Sequence, residues 1–418
     1  MPTFNLWYTL LVIACVLGFV LGLVAYLILA ERKVAAWVQD RLGPNRVGPW
    51  GMLQPIADGG KMFLKEEVIP AHVDKVFFLL APMVALSTAL LGIAVVPFGS
   101  TPPPEPPSPS AAVTAPASPV QYYEQTHTPP DFSFVIAPGL DVGILYVFAL
   151  GSLAVYGVIL AGWSANSKYA LIGSLRSSAQ IISYEIPLGM SVLGVVLCVG
   201  SLNLEAIINY QAGPHSYFAL TQPLAFLLFM VSVFAECNRL PFDLPESEQE
   251  LVGGFHTEYS SLKLGMLLLA EYAHMITTSL LMSILFWGGW HFPGLSEGGE
   301  PYGPVGTPLV RLAVLLGKMF LFIGLFLMVR WTIPRFRFDQ LMGLAWKVMI
   351  PLAGLNLVCV LVVKQYALPA WGMTVASVVL FVGAGVIGLA TGGTVTNPRR
   401  RVAKLPPGLP AGVTYAGR

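Results

Sequence analysis

Charge is scarce in this chain. Of its 418 residues only 11% carry a formal charge and 55% are apolar, whereas soluble domains carry roughly 25% charged residues. So little charge cannot solvate a chain of this length, which excludes a soluble enzyme. Cysteine is also sparse. Cys15, Cys198, Cys237 and Cys359 are far apart and form no C-x-x-C pair, so neither a zinc site nor a cysteine-ligated cluster is supported. There is no G-x-x-x-x-G-K-[ST], no G-x-G-x-x-G after a strand and no H-E-x-x-H. His72, His127, His215 and His291 fall in loops or at the edges of apolar runs, leaving no facing pair for haem. The chain is therefore expected to bind no FMN, NAD or iron–sulfur cluster itself. Any redox work requires a partner chain to carry the electrons.

What is present is long apolar runs. About 20 residues are needed to cross the hydrocarbon core, and runs of about that length fall at 6–30, 76–98, 142–162, 187–204, 219–235, 264–290, 308–333, 346–363 and 371–391. The fold class expected is an all-α polytopic membrane protein of about nine transmembrane helices. Two runs, 187–204 and 219–235, are short, so their helices should extend into polar flanks. The first run is too long for a signal peptide, lacks a basic leader, and ends on Glu31-Arg32-Lys33 like a stop-transfer flank.

Cations set the orientation. With the N-terminus outside and the C-terminus cytoplasmic, 20 of the 23 Lys and Arg residues fall on the inner side, and outer loops 99–141, 205–218 and 291–307 hold none. That asymmetry is the positive-inside rule and fits an odd number of spans. The outer segment 101–138 is rich in Pro, Ser, Ala and Thr and reads as an extended excursion without a core. No internal repeat is visible, which weighs against many transporter folds.

Three polar features stand out. After turn signals at Gly43-Pro44-Asn45 and Gly48-Pro49, apolar Met52, Leu53, Ile56, Met62, Phe63 and Leu64 interleave with Asp58, Lys61 and Lys65. The spacing predicts an amphipathic interfacial helix after the first span. It reads either as a lipid anchor or as a wall of a site that admits an amphipathic, lipid-like molecule. The second feature is an acidic stretch holding Glu236, Asp243, Glu246, Glu248, Glu250 and Glu258. Like charges this close raise one another's pKa, which suits a proton relay; a solvated loop for a basic partner is the alternative. The third is charge at membrane depth: Glu271 with His274 at i+3, Lys318 mid-span, and Glu185 beside Tyr184. Such groups face a bundle interior or a hydrated cavity, giving either a proton path or a Glu–Lys pair that locks helices together.

Four segments carry a resemblance. They are Glu31-Arg32-Lys33 with GPNRVGPWGMLQPIADGGK (43–61), GWSANSKYALIGSLRSSAQIISYE (162–185), AECNRLPFDLPESEQELVGGFHTEYS (235–260) with AEY (270–272), and VRWTIPRFRFDQLMGLAWK (329–347). In order and spacing, from about residue 6 to 363, the chain resembles the H-subunit family of the proton-pumping NADH:quinone oxidoreductases (respiratory complex I), bacterial counterparts of mitochondrial NADH dehydrogenase subunit 1.

The resemblance implies one component of a translocase in the bacterial plasma (inner) membrane, not catalytic alone. It would sit where the membrane arm meets the hydrophilic arm, with partners in both arms, including the one that carries the terminal iron–sulfur cluster. Quinone, as menaquinone or ubiquinone, would be the substrate. Lipid is the other expected contact, and nucleic acid is not. Arg32, Asp58, Gly59 and Lys61 match quinone-tunnel positions. Glu185, Glu236, Glu246, Glu248, Glu250, Glu258 and Glu271 match a chain of acids leading towards the pumping channels, with Tyr184 and Asp243 beside it. The expected organisation is a membrane core at 1–363 with tunnel loops on the inner face, a Pro-rich outer insert at 101–138, an extra C-terminal span at 364–398 beyond the family's eight-helix core, and a basic cytoplasmic tail at 399–418. Gly59 stands where many relatives carry Ala, the insert is longer than usual, and the ninth span and tail extend past the usual ending. Three other functions compete: the homologous component of a membrane-bound hydrogenase or related complex, a stand-alone proton or cation transporter, and a purely structural anchor.

Overall fold

A computed structural model describes residues 6–98, 140–212, 217–244, 252–295, 303–366, 369 and 371–392. The expectations for the insert at 101–138, for Glu246, Glu248 and Glu250, and for the tail at 399–418 lie outside the described residues. Among the described residues every regular element is helical.

Helix α1 (Leu6–Val38) runs straight through Glu31-Arg32-Lys33. Its 33 residues measure about 50 Å at about 1.5 Å each, against a core of about 30 Å. The last turns therefore project beyond the apolar layer and carry those three charges in helical register. A loop then leads into α2 (Gln54–Leu64), an amphipathic helix with no buried residue. In that loop, a Cβ on Gly51 would stand 2.1 Å from the Pro44 carbonyl oxygen, so only glycine closes the turn.

The remaining helices are α3 (Lys75–Leu91), α4 (Gly143–Ser164), α5 (Lys168–Val199), α6 (Leu204–Ala212), α7 (Pro223–Glu236), α8 (Ser261–Trp287), α9 (Gly303–Thr332), α10 (Phe338–Gln365, with a π-helical turn at Ala345–Met349) and α11 (Trp371–Gly392). Among the described residues eight helices are long and apolar enough to cross a membrane: α1, α3, α4, α5, α8, α9, α10 and α11. The remaining run, 219–235, forms α7, whose 14 residues reach only about 21 Å. Helix α5, by contrast, recovers the polar flank of its short run and extends from Lys168.

Helix α8 is the axis of the bundle. In its apolar window 78% of residues are buried, against 6% in α11 at the rim. Around it α3 packs on α4, α4 on α5, α5 on α7 and α10, and α9 and α1 on α8's other side. The buried core runs from Val20 and Val24 through Phe229, Met275, Ile276 and Phe286 to Met319 and Phe322. Burial of this kind separates helix–helix faces from lipid faces, which hydrophobicity alone does not.

Candidate functional site

Three polar centres lie along α8 and the segment that follows α7. The first is the rim formed by α1 and α2. Arg32 Nη1 donates to Asp58 Oδ2 at 2.7 Å, Gln54 Nε2 donates to Asp58 Oδ1 at 2.8 Å, and Lys61 Nζ lies 3.7 Å from the same oxygen. Gly59 follows Asp58 with open space at its Cβ position. Lys33 Nζ donates to the Trp50 carbonyl at 2.6 Å and ties the preceding loop to α1. The sequence-predicted residues Arg32, Asp58 and Lys61 therefore meet, but on an open face: the Arg32 side chain is 52% exposed and that of Lys61 75%.

The second centre is buried and is built around Glu31. Tyr272 OH donates to Glu31 Oε2 at 2.5 Å, Arg239 Nη1 lies 3.5 Å from that oxygen, and Arg330 holds Oε1. The Arg239 guanidinium also stacks 4.1 Å from the centre of the Tyr272 ring. One carboxylate thus joins α1, the segment after α7, α8 and α9. Sequence reasoning missed this centre. Along the chain Glu31 reads as a stop-transfer flank and Arg330 as a helix-end cation, and only the fold brings them to one point. The legible signal was a single acid closing an apolar run.

The third centre is a partly open cavity of about 60 Å³ between α3, α4, α5, α7 and α8. Its polar lining is Glu236, Glu271, His274 and Asn238, and its apolar walls include Ala85, Val155 and Leu267. One water needs about 10–15 Å³ of such space, so the cavity has room for several. Glu236 Oε1 lies 3.2 Å from His274 Nε2. A Cβ on Gly151 would sit 3.1 Å from Glu236 Oε1, so a glycine on α4 lets the carboxylate approach. One residue on, the Ser152 hydroxyl donates to Glu185. Glu271 and His274 share one face of α8, as their spacing required, while Tyr272 faces the Glu31 centre. Helix α8 therefore separates the two buried centres by the width of one helix.

The segment after α7 connects them. Gln180 Nε2, fully buried, donates to the carbonyls of Ala235 at 2.7 Å and Phe242 at 2.9 Å. With its ends pinned, the segment directs Glu236 to the cavity, Arg239 to Glu31, and Asp243 to Arg335, whose Nη2 donates to Oδ2 at 2.9 Å.

Other expected residues lie elsewhere. Tyr184 turns away from the cavity, and its hydroxyl donates to the Leu341 carbonyl at 3.0 Å. Glu258 Oε1 stands 3.9 Å from His72 Nε2 on the loop between α2 and α3. The neighbouring Tyr259 stacks on Phe78 at 4.1 Å and donates to its carbonyl at 3.2 Å. Burial pushes the Tyr259 phenol up to about 12, with the Ser164 hydroxyl opposing the rise. Lys318 corrects one expectation. It does not pair with Glu271 but donates to the carbonyls of Trp287 at 2.5 Å and His291 at 2.6 Å, at the far end of α8. Glu271 lies 16 residues before Trp287, or about 24 Å along the helix, so the two cannot meet. Among the described residues no cluster of three or more His, Cys, Asp or Glu is arranged to hold a metal ion.

Fold and site together define a class: a polytopic helical membrane protein with acids gathered around a cavity that has room for water, and a charged rim on α1 and α2. Comparison with known proteins gives the family. Residues 11–361 match the family NADHdh, NADH dehydrogenase, and the chain belongs to it. It is 43% identical over 348 residues to NADH-quinone oxidoreductase H-subunit 1 of Cytophaga hutchinsonii, covering 83% of this chain and 94% of that protein. It is 46% identical over 340 residues to NADH-quinone oxidoreductase H-subunit 2 of Geobacter metallireducens, covering 81% and 90%. The corresponding protein of Koribacter versatilis is 44% identical over 351 residues, covering 83% and 94%. Helix α11 lies beyond the family match.

Proposed function

We propose that this chain is a membrane component of NADH:quinone oxidoreductase, in which its inner rim lines the quinone route and its buried acids relay protons. The observation that carries the reading is the cavity: Glu236, Glu271 and His274 line one space beside α8, a helix long and apolar enough to cross a membrane. Ionisable groups there are costly unless they serve a hydrated path.

The chemistry divides among the centres. Reducing a quinone to a quinol adds two electrons and two protons. Electrons come from a partner chain, because this sequence carries no motif for a redox group. Arg32, Asp58, Gly59 and Lys61 lie on the face of α1 and α2 that a hydrophilic partner would cover. Covering that face makes the open rim a closed channel for a greasy substrate. Arg32 and Lys61 there present donors to a carbonyl oxygen that gains charge on reduction. The segment from Glu236 to Asp243 links the cavity to Glu31, the neighbour of Arg32 on α1, so a charge change at the quinone alters which of Glu236, Glu271 and Glu185 hold protons. Glu246, Glu248, Glu250 and Glu258 extend the relay along the inner loop, and Tyr184 and Asp243 shape the ends of that segment. The N-terminus lies outside and the C-terminus in the cytoplasm, following the distribution of cations.

The test is a structure of the assembled complex with a bound quinone or quinone-site inhibitor. Contacts to residues 31–65, and to no other face of this chain, are expected. A ligand bound elsewhere, with Arg32 and Lys61 open to water in the complex, removes this assignment.

A further inference from the structure

Helix α11 makes contacts that a plain lipid anchor would not. Its Ser377 hydroxyl donates to Asn356 Oδ1 on α10 at 3.1 Å, with Ser377 1% and Asn356 3% exposed. One turn earlier, Thr374 Oγ1 donates to the carbonyls of Leu220 at 3.3 Å and Thr221 at 3.4 Å. These carbonyls belong to the short turn Phe218–Thr221 that leads into α7. Met373 Sδ lies 3.8 Å from Cys198 Sγ on α5 and 3.9 Å from Gln222 Nε2. Leu380 continues the same face into the core, whereas Val375, Val378, Val379 and Phe381 face outward.

The seat needs such a cover. Gln222 is fully buried and its Nε2 reaches Cys198 Sγ at 3.2 Å. Helix α7 is only 14 residues long, and the carbonyls of the turn before it lie at its outer end with no helical continuation to satisfy them. An unpaired polar group against hydrocarbon costs several kcal/mol, and small or hydroxyl-bearing residues are what let helices pack closely and bond in lipid.

We infer that the face formed by α7, α10 and the turn 218–221 is a helix-binding surface, specific for a single apolar helix that places a hydroxyl opposite Asn356. In this chain α11 fills it in cis. The face is therefore closed to the helices of other chains, which must dock on the remaining sides of the bundle.

The test uses the full chain in its assembled complex, with a protease site inserted between Tyr366 and Trp371 and an affinity tag on the core. After cleavage in detergent, α11 of the parent chain is expected to stay on the core through purification. Asn356→Leu and Ser377→Val should each release it several-fold more, and the lipid-facing change Val379→Leu should not. Should Asn356→Leu block assembly, Ser377→Val decides alone, because it leaves the core sequence untouched. Release from the parent chain, or equal retention in all variants, overturns the inference, as does a map of the complex with a partner chain's helix on this face.

Discussion

His274 Nε2 and Glu236 Oε1 lie 3.2 Å apart in the wall of a cavity, joining the central helix α8 to the inner end of the short helix α7. The contact ties two residues 38 positions apart to a space that also receives Glu271.

If the cavity relays protons, its acids are irreplaceable by amides of the same shape. Glu271→Gln and Glu236→Gln should each lower NADH:quinone reductase turnover and coupled pumping by about 100-fold or more, the scale of losing a positioned acid or base. The amount of assembled complex should not change. Turnover and proton uptake in membrane vesicles check this, and normal rates in both variants would leave the cavity a structural feature.

The Glu31 centre should behave differently. Glu31→Ala leaves Arg239 and Arg330 facing each other without their shared carboxylate. Removing one partner from a buried ion pair costs about 3–5 kcal/mol. The expected result is a marked fall in the apparent melting temperature of the purified complex. Glu31→Gln retains the acceptor for Tyr272 and should lose less. Equal melting of both variants and the parent would show that the centre contributes nothing to stability.

The rim separates stability from substrate handling. The Arg32–Asp58 pair is partly exposed, and such pairs contribute about 0–1 kcal/mol. Asp58→Asn should therefore leave the melting temperature almost unchanged while raising the KM for quinone. A kinetic titration with a short-tailed quinone reads this. A large melting shift with an unchanged KM would assign the pair to the fold alone.

Tyr259 gives a pH signature. Its phenol is pushed up to about 12 by burial, against about 10 for a free tyrosine. The folded chain holds that proton more tightly than the unfolded chain does. The resulting stabilisation is complete below about pH 10 and disappears as pH rises through about 12. Tyr259→Phe should flatten the decline of the melting temperature between about pH 10 and 12. Parallel declines in variant and parent would contradict it.

That this chain crosses a membrane, and roughly where, is legible in its residues alone. Apolar runs of the needed length leave the backbone no other way to satisfy its hydrogen bonds in lipid. Equally legible are the amphipathic character of α2 and the shared face of Glu271 and His274, because both follow from the period of a helix. Four segments of the chain pointed to the family before any geometry was known. Which charges meet was set by the packing of the bundle. Glu31, Arg239, Tyr272 and Arg330 come from four elements, and Lys318 reaches the far end of α8 rather than Glu271. Local spacing fixes neighbours along one helix, whereas partners between helices depend on how the bundle packs. For the same reason, α7 was legible as an apolar run but its shortness, and the seat it leaves for α11, were not.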